Sequence, residues 1–122
     1  MPRKHQQLDT WKEAIALVEA IYRLTDGFPP EERFGISSQM RRAAVGIPSN
    51  IAEGASRGST REYLRFLDIA RSSLVEIETQ LVISRRLGFA ASDDHLDRQM
   101  DLLFARLSTQ IKKLTAKTRQ TS

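Results

Sequence analysis

Hydrophobic residues recur along most of this chain at the spacing of amphipathic helices, and the segment around Pro48 shows the pattern most clearly. Its apolar positions keep a helical spacing on both sides of the proline. They are Ile36, Met40, Ala43, Ala44, Ile47 and Ile51. A proline inside a helix removes one backbone donor and clashes with the carbonyl four residues earlier. Because the stripe stays in register, we predict one helix, from about Glu31 or Phe34 to Glu53, that continues through Pro48 with a bend.

Three further segments have the same periodicity and predict the remaining helices. The first is expected from about Thr10 to Thr25, the third from Thr60 to Leu87, and the fourth from Ser92 or Asp93 onwards. No segment alternates in the manner of a half-buried strand. The sequence therefore predicts an all-α fold, an antiparallel up-down-up-down four-helix bundle whose second helix is kinked at Pro48.

Several residues at the expected helix ends have the chemistry of caps. Thr10 with Glu13, and Ser59 with Glu62, have the spacing of capping boxes, in which each side chain satisfies a free backbone donor of the other residue. Gly54 lies where a left-handed C-terminal cap is expected for the second helix.

Length and composition are those of a single domain, which we assign to residues 1–122 with a core at about 8–116 and flexible ends. Hydrophobic residues make up 40% of the 122, too many for a disordered chain. No apolar run approaches the roughly 20 residues of a membrane span, and Met1–Gln7 lacks the apolar stretch of a signal peptide. With no cysteine for disulfides or thiolate ligands, we expect a cytoplasmic protein without membrane contact.

The net charge of +4 is concentrated at the C-terminal end. Residues 105–122 hold five basic side chains and no acidic one, while the rest of the chain is nearly neutral. Lys112, Lys113 and Lys117 are therefore candidates for binding an anionic partner such as RNA or DNA. The alternative is a solvated helix end, where cations also suit the helix dipole.

Five arginines form a second group of candidates for binding phosphate. They are Arg41, Arg42, Arg57, Arg61 and Arg65. The alternative is a structural polar network. Arg41 and Arg42 point about 100° apart on a helix, so one of them could pair with Glu53, Glu76 or Glu78. Asn50 and Glu53 could bond carbonyls that the proline leaves free.

The sequence contains no constellation of catalytic or cofactor-binding residues. Asp93, Asp94, His95 and Asp97 could suggest a metal site, but acids are expected at a helix start. Ser72 and Ser73 have no histidine at a suitable spacing, and no glycine-rich phosphate loop is present. We therefore expect no enzyme activity and no catalytic, cofactor or metal site.

Apolar residues on the third helix cover more than one face. Phe66, Ile69 and Leu87 lie beside the main stripe. A helix with such a wide apolar surface usually has a second partner, which here would be another subunit. The alternative is that Phe66 and Ile69 only widen the contact with neighbouring helices.

Six motifs carry a family resemblance that extends from about Leu8 to Leu114. They are Asp9–Ala14, Phe28–Pro29, Glu32–Gly35, Gln39–Ala44, Ile47–Gly54 and Ile69–Leu81. The chain resembles the bacterial four-helix-bundle family named for reading frames inside intervening sequences of 23S ribosomal RNA, once classed among ribosomal proteins. Gly46 stands where a serine is common in that family, and Ser72 where a glycine is common.

The resemblance implies a homopentameric, barrel-like assembly. Some relatives accompany reverse transcriptases in diversity-generating retroelements and bind nucleic acid there. Two functions are therefore considered. One is a nucleic-acid-binding accessory protein that engages phosphates, and the other is an oligomeric scaffold that recruits a protein partner without binding nucleic acid.

Overall fold

A computed structural model describes residues 8–121 and contains four α-helices in that range. They are α1 at Asp9–Asp26, α2 at Ile36–Ala55, α3 at Thr60–Arg86 and α4 at Asp94–Thr121. A short 3₁₀ turn, Pro30–Glu32, lies between α1 and α2. The predicted all-α class is confirmed, since the described part of the chain has no strand. Of the ends expected to be flexible, residues 1–7 and 122 lie outside the described residues, and residues 117–121 belong to α4.

The four helices pack around one hydrophobic core. Each helix contacts its neighbour in sequence, and α1 also contacts α4, which is consistent with a bundle. The largest fully buried apolar side chains come from all four helices. They are Leu17, Ile21, Met40, Ile47, Ile51, Leu67, Leu74, Ile77, Leu81, Leu103 and Leu107. Those of α2 belong to the stripe predicted around Pro48. Burial of each such side chain contributes roughly 1.5–3 kcal/mol to folding.

Helix α2 continues through Pro48 without a break, as predicted. The carbonyl deprived of its donor by the proline is that of Ala44, four residues earlier. Ser49 Oγ donates to the carbonyl of Val45 at 2.8 Å, and Asn50 Nδ2 donates to that of Gly46 at 2.7 Å. Polar side chains thus bond the carbonyls next to the proline position, while the bend itself stays a prediction.

Two of the expected caps are wrong, and a third is half right. Leu8 precedes α1 without a side-chain cap, because Thr10 is buried and Glu13 Oε1 accepts from Arg106 Nε at 2.9 Å instead. Ser59 Oγ does accept from the amide of Glu62 at 3.1 Å. The Glu62 carboxylate, however, pairs with Arg65.

The prediction that Gly54 caps α2 is also wrong, because α2 continues to Ala55 and its C-cap residue is Ser56. The glycine is buried where α2 and α3 approach each other. A Cβ atom there would lie 2.8 Å from Cβ of Phe66 and 3.0 Å from Cδ1 of Tyr63. Its role is therefore close helix packing. The left-handed conformation is found at Gly88, which follows α3 with a φ of 81°.

No helix within residues 8–121 combines the length and apolar character that a membrane span requires.

Candidate nucleic-acid interface

The α2–α3 connection, the start of α3 and the second half of α4 meet around a cavity of about 360 Å³. Six polar residues in its wall come from these three parts of the chain. We call them the basic cradle: Arg57, Ser59, Thr60, Tyr63, Gln110 and Lys117. The part of the bundle that carries them is the basic end. None of the described residues that line the cavity carries a carboxylate.

Arg57 is held in place by one acid and one aromatic ring. Its Nη2 donates to Glu53 Oε1 at 2.6 Å, and its Cζ lies 5.1 Å from the centroid of the Phe66 ring. Arg65 lies against the same ring at 4.7 Å and pairs with Glu62 at 3.3 Å. Such cation–π contacts orient a guanidinium. Since a guanidinium has five N–H donors, both arginines retain donors for a further ligand.

Tyr63 and Gln110 join α3 to α4 inside the cradle. Gln110 Nε2 donates to the Tyr63 hydroxyl oxygen at 2.8 Å. Burial raises the pKa of Tyr63, and the hydrogen bond from Gln110 lowers it by less, so the phenol stays protonated at neutral pH. Its oxygen already accepts a hydrogen bond, which leaves its O–H proton to donate.

The remaining lysines and arginines of the basic end are exposed. Arg61 lies one turn before Arg65 on α3, and Lys112 and Lys113 lie on α4. Lys113 lines a second cavity of about 370 Å³, which is bounded by the start of α1 and by Arg106 of α4. The structure therefore groups Arg57, Arg61 and Arg65 and the lysines of α4 around one end of the bundle.

Arg41 is used differently and lies far from this end. Its Nε donates to Thr25 Oγ1 at 2.7 Å, and its Nη2 donates to Asp26 Oδ1 at 2.8 Å and to the carbonyl of Tyr22 at 3.2 Å. Its Cζ also lies 4.4 Å from the centroid of the Tyr22 ring. One of the two adjacent arginines thus pairs within the chain, as the structural alternative had it. Its partner is Asp26 at the end of α1, and not Glu53, Glu76 or Glu78.

The five candidate arginines do not share one surface. Arg41 lies about 20 Å along α2 from the end of that helix at Ala55, at about 1.5 Å per residue. Arg42 is exposed next to Arg41. Arg41 and Arg42 are therefore separated from the basic end by more than half the length of α2.

The acids considered for a metal site have other roles. Asp93 Oδ1 accepts from the amide of Leu96 at 3.0 Å and caps α4. Asp97 pairs with Arg85 at 3.1 Å, and Asp94 and His95 are exposed. Within residues 8–121, no three histidine, aspartate or glutamate side chains come together in a group that could hold a metal ion.

Sequence reasoning missed the polar residues of the cradle other than its cations. No polar role was predicted for Tyr63, and Ser59 was predicted only as a cap. Nothing in the sequence distinguishes Gln110 from other polar residues of α4. Its pairing with Tyr63 spans 47 positions and requires the tertiary packing of α3 on α4.

The comparisons with known proteins identify a family. A family model described as 23S rRNA-intervening sequence protein matches residues 6–117. Among curated proteins, none is similar enough to the chain to count as a relative.

Proposed function

The chain belongs to the 23S rRNA-intervening sequence protein family, and we propose that it is a non-enzymatic, oligomeric protein that binds RNA or DNA through its basic end. The observation that carries this proposal is the convergence of Arg57 and Lys117, from the α2–α3 connection and from α4, on one cavity. Phosphate contacts by such cations supply most of the affinity in binding that does not depend on sequence.

The binding is expected to show little sequence preference. Reading a sequence requires side chains placed against base edges, and the cations of the basic end are mixed with hydroxyl groups that suit phosphate oxygens. In an oligomer each basic end is repeated, so weak single contacts add through multivalency.

The test is retention of labelled single-stranded RNA and DNA, measured by fluorescence anisotropy over a range of salt concentrations. Affinity should fall steeply as salt rises, because cations bound to the nucleic acid are released when the protein binds. Strands of unrelated sequence serve as controls and should bind with similar affinity. Absence of binding at low salt would reject the proposal.

The oligomer is part of the same proposal and is supported by exposed apolar side chains on α3. Ile69 is 39% exposed, Ile83 44% and Leu87 60%, and helical periodicity places the three on one side of the helix. A second subunit would cover them. We propose a pentamer, for which light scattering should give five times the chain mass of 13.8 kDa. A particle of 13.8 kDa at micromolar concentration would contradict it.

The up-down-up-down arrangement and the bend at Pro48 also remain proposals. Contacts between Tyr63 and Gln110 and between Arg85 and Asp97 support an antiparallel α3 and α4, because they join opposite ends of the two helices. A crystal structure would measure the bend of α2. We also propose a cytoplasmic location, which cell fractionation would test.

A second candidate function is a scaffold for a protein partner. An apolar groove of about 340 Å³ between α1 and α2 favours it, with Trp11, Ile15, Val18, Val45 and Pro48 in its wall. Binding in this groove would bury apolar surface, so its affinity would change little with salt. Salt dependence therefore separates the two candidates.

A further inference from the structure

We infer that the basic cradle is a binding site for a single phosphate group, the anchor that holds one phosphate of a nucleic-acid strand. The inference rests on the proposed function and narrows it to one subsite and one ligand chemistry. It makes Ser59, Thr60 and Tyr63 part of the site along with the two cations.

The balance of hydrogen-bond donors and acceptors in the cavity wall favours an anion. Arg57 and Lys117 can only donate hydrogen bonds, and no described lining residue contributes a carboxylate. A cavity rich in donors and poor in acceptors suits an anion. The arrangement differs from a solvated helix end because its two cations come from separate parts of the chain.

Two hydroxyl oxygens of the cavity wall already accept hydrogen bonds from the protein. Ser59 Oγ accepts from the amide of Glu62, and the Tyr63 oxygen accepts from Gln110. The O–H proton of each group is therefore left to donate. A tetrahedral phosphate has several acceptor oxygens and matches this spread of donors.

Contacts within the protein hold the guanidinium of Arg57 before any ligand binds. Its Nη2 donates to Glu53, and its Cζ lies over the Phe66 ring. Less side-chain entropy is then lost on binding, and the other N–H groups keep a fixed direction. The volume of about 360 Å³ accommodates a phosphate with part of its sugar, within the usual range of ligand pockets.

The experiment compares two double variants that lose the same charge. Arg57→Gln with Lys117→Gln removes the cations of the cradle. Arg23→Gln with Arg86→Gln removes two exposed cations from helix ends outside the basic end. Circular dichroism melting checks that both variants fold. Affinity for a labelled single strand is measured by anisotropy at several salt concentrations.

The cradle variant should bind the strand about tenfold more weakly, the size expected for loss of a charge-assisted contact. Its salt slope should become shallower by roughly 0.7, the contribution of one phosphate on a single strand. The control variant should stay within about twofold of the wild type. Equal weakening of both variants would overturn the inference and leave general nucleic-acid binding intact.

A second arm uses inorganic phosphate and does not depend on nucleic acid. Titration followed by amide NMR should shift the signals of Gly58, Ser59 and Thr60 in the wild type, and the shifts should be lost in the cradle variant. Shifts without retention of any strand would keep the phosphate site and reject the proposed function. No shifts at these amides would overturn the inference.

Discussion

The two ends of the bundle contain the same residue type in opposite roles. Near the end of α1, Nε of Arg41 donates a hydrogen bond to Thr25, and its Nη2 donates to Asp26 and to the carbonyl of Tyr22. At the basic end, Arg57 makes one short contact with Glu53 and keeps the remainder of its donors. The number of arginines on a surface therefore does not identify it as a binding site. The hydrogen bonds that each guanidinium already makes decide its role.

The lysines of the basic end should contribute most to the binding of nucleic acid. Replacing Lys112, Lys113 and Lys117 together with glutamine should weaken binding of single-stranded RNA by more than about tenfold and flatten its salt slope. The matched control replaces Arg23, Arg33 and Arg86, which carry the same total charge away from the basic end. An equal loss in the control, measured by anisotropy, would remove the distinction between the two ends.

The next largest effect is expected on stability, from a substitution at Gly54, where α2 packs against α3. Gly54→Ala should destabilise the fold by about 1–3 kcal/mol, because the new methyl group would lie 2.8 Å from Cβ of Phe66. Gly46→Ala is the control, since its Cβ would lie 3.6 Å from Ser73 Oγ, an ordinary contact. That variant should gain up to about 1 kcal/mol from helix propensity. Urea unfolding measures both, and equal stabilities would contradict the close-packing role of Gly54.

Arg41→Gln tests the opposite end. We expect a loss of about 1–2 kcal/mol of unfolding free energy, because charge-assisted hydrogen bonds to Thr25 and Asp26 disappear. Arg57→Gln removes an exposed i,i+4 pair and should cost about 0.5 kcal/mol or less. Thermal melting compares them. A larger loss in Arg57→Gln would reverse the roles assigned to the two residues.

A small pH-dependent effect on stability is expected from Glu78 of α3, which is close to Asp101 of α4. Burial, and then the negative charge of Asp101, raise the pKa of Glu78 above its ordinary value of 4.5. The folded state therefore disfavours the charged form of Glu78. As pH rises from 4.5 through the raised pKa, ionisation of Glu78 lowers the free energy of unfolding, and below pH 4.5 this loss of stability is absent. Glu78→Gln should stabilise the protein slightly at pH 7 and leave it unchanged near pH 4. Stabilisation of equal size at both pH values would contradict this.

The sequence was sufficient for the features that depend on local periodicity. The four helices and the continuity through Pro48 follow from the spacing of apolar residues, which each segment carries by itself. The roles of Gly54 and Glu13 did not follow, because each depends on a residue of another helix. Gly54 looked like a cap from its position after Glu53, yet the approach of Phe66 determines its function.

The candidate site was predictable in its cations and not in its geometry. Charge counting found Arg57 and Lys117 but grouped Arg57 with Arg41, because it took no account of the distance between them along α2 or of the contacts that Arg41 makes with α1. The hydroxyl donors were missed for a similar reason. Ser59 was predicted only as a cap, and the hydrogen bond from Gln110 to Tyr63 depends on the packing of α3 on α4.

The close approach of α2 and α3 at Gly54 also bears on how fast the chain folds. These two helices share the most extensive packing of any pair, and only the short connection 56–59 separates them in sequence. Closing so short a loop costs little entropy, and bundles built from such local contacts fold in microseconds to milliseconds. We therefore expect α2 and α3 to form the folding nucleus. Crowding at position 54 would slow the formation of the native state as well as weaken it.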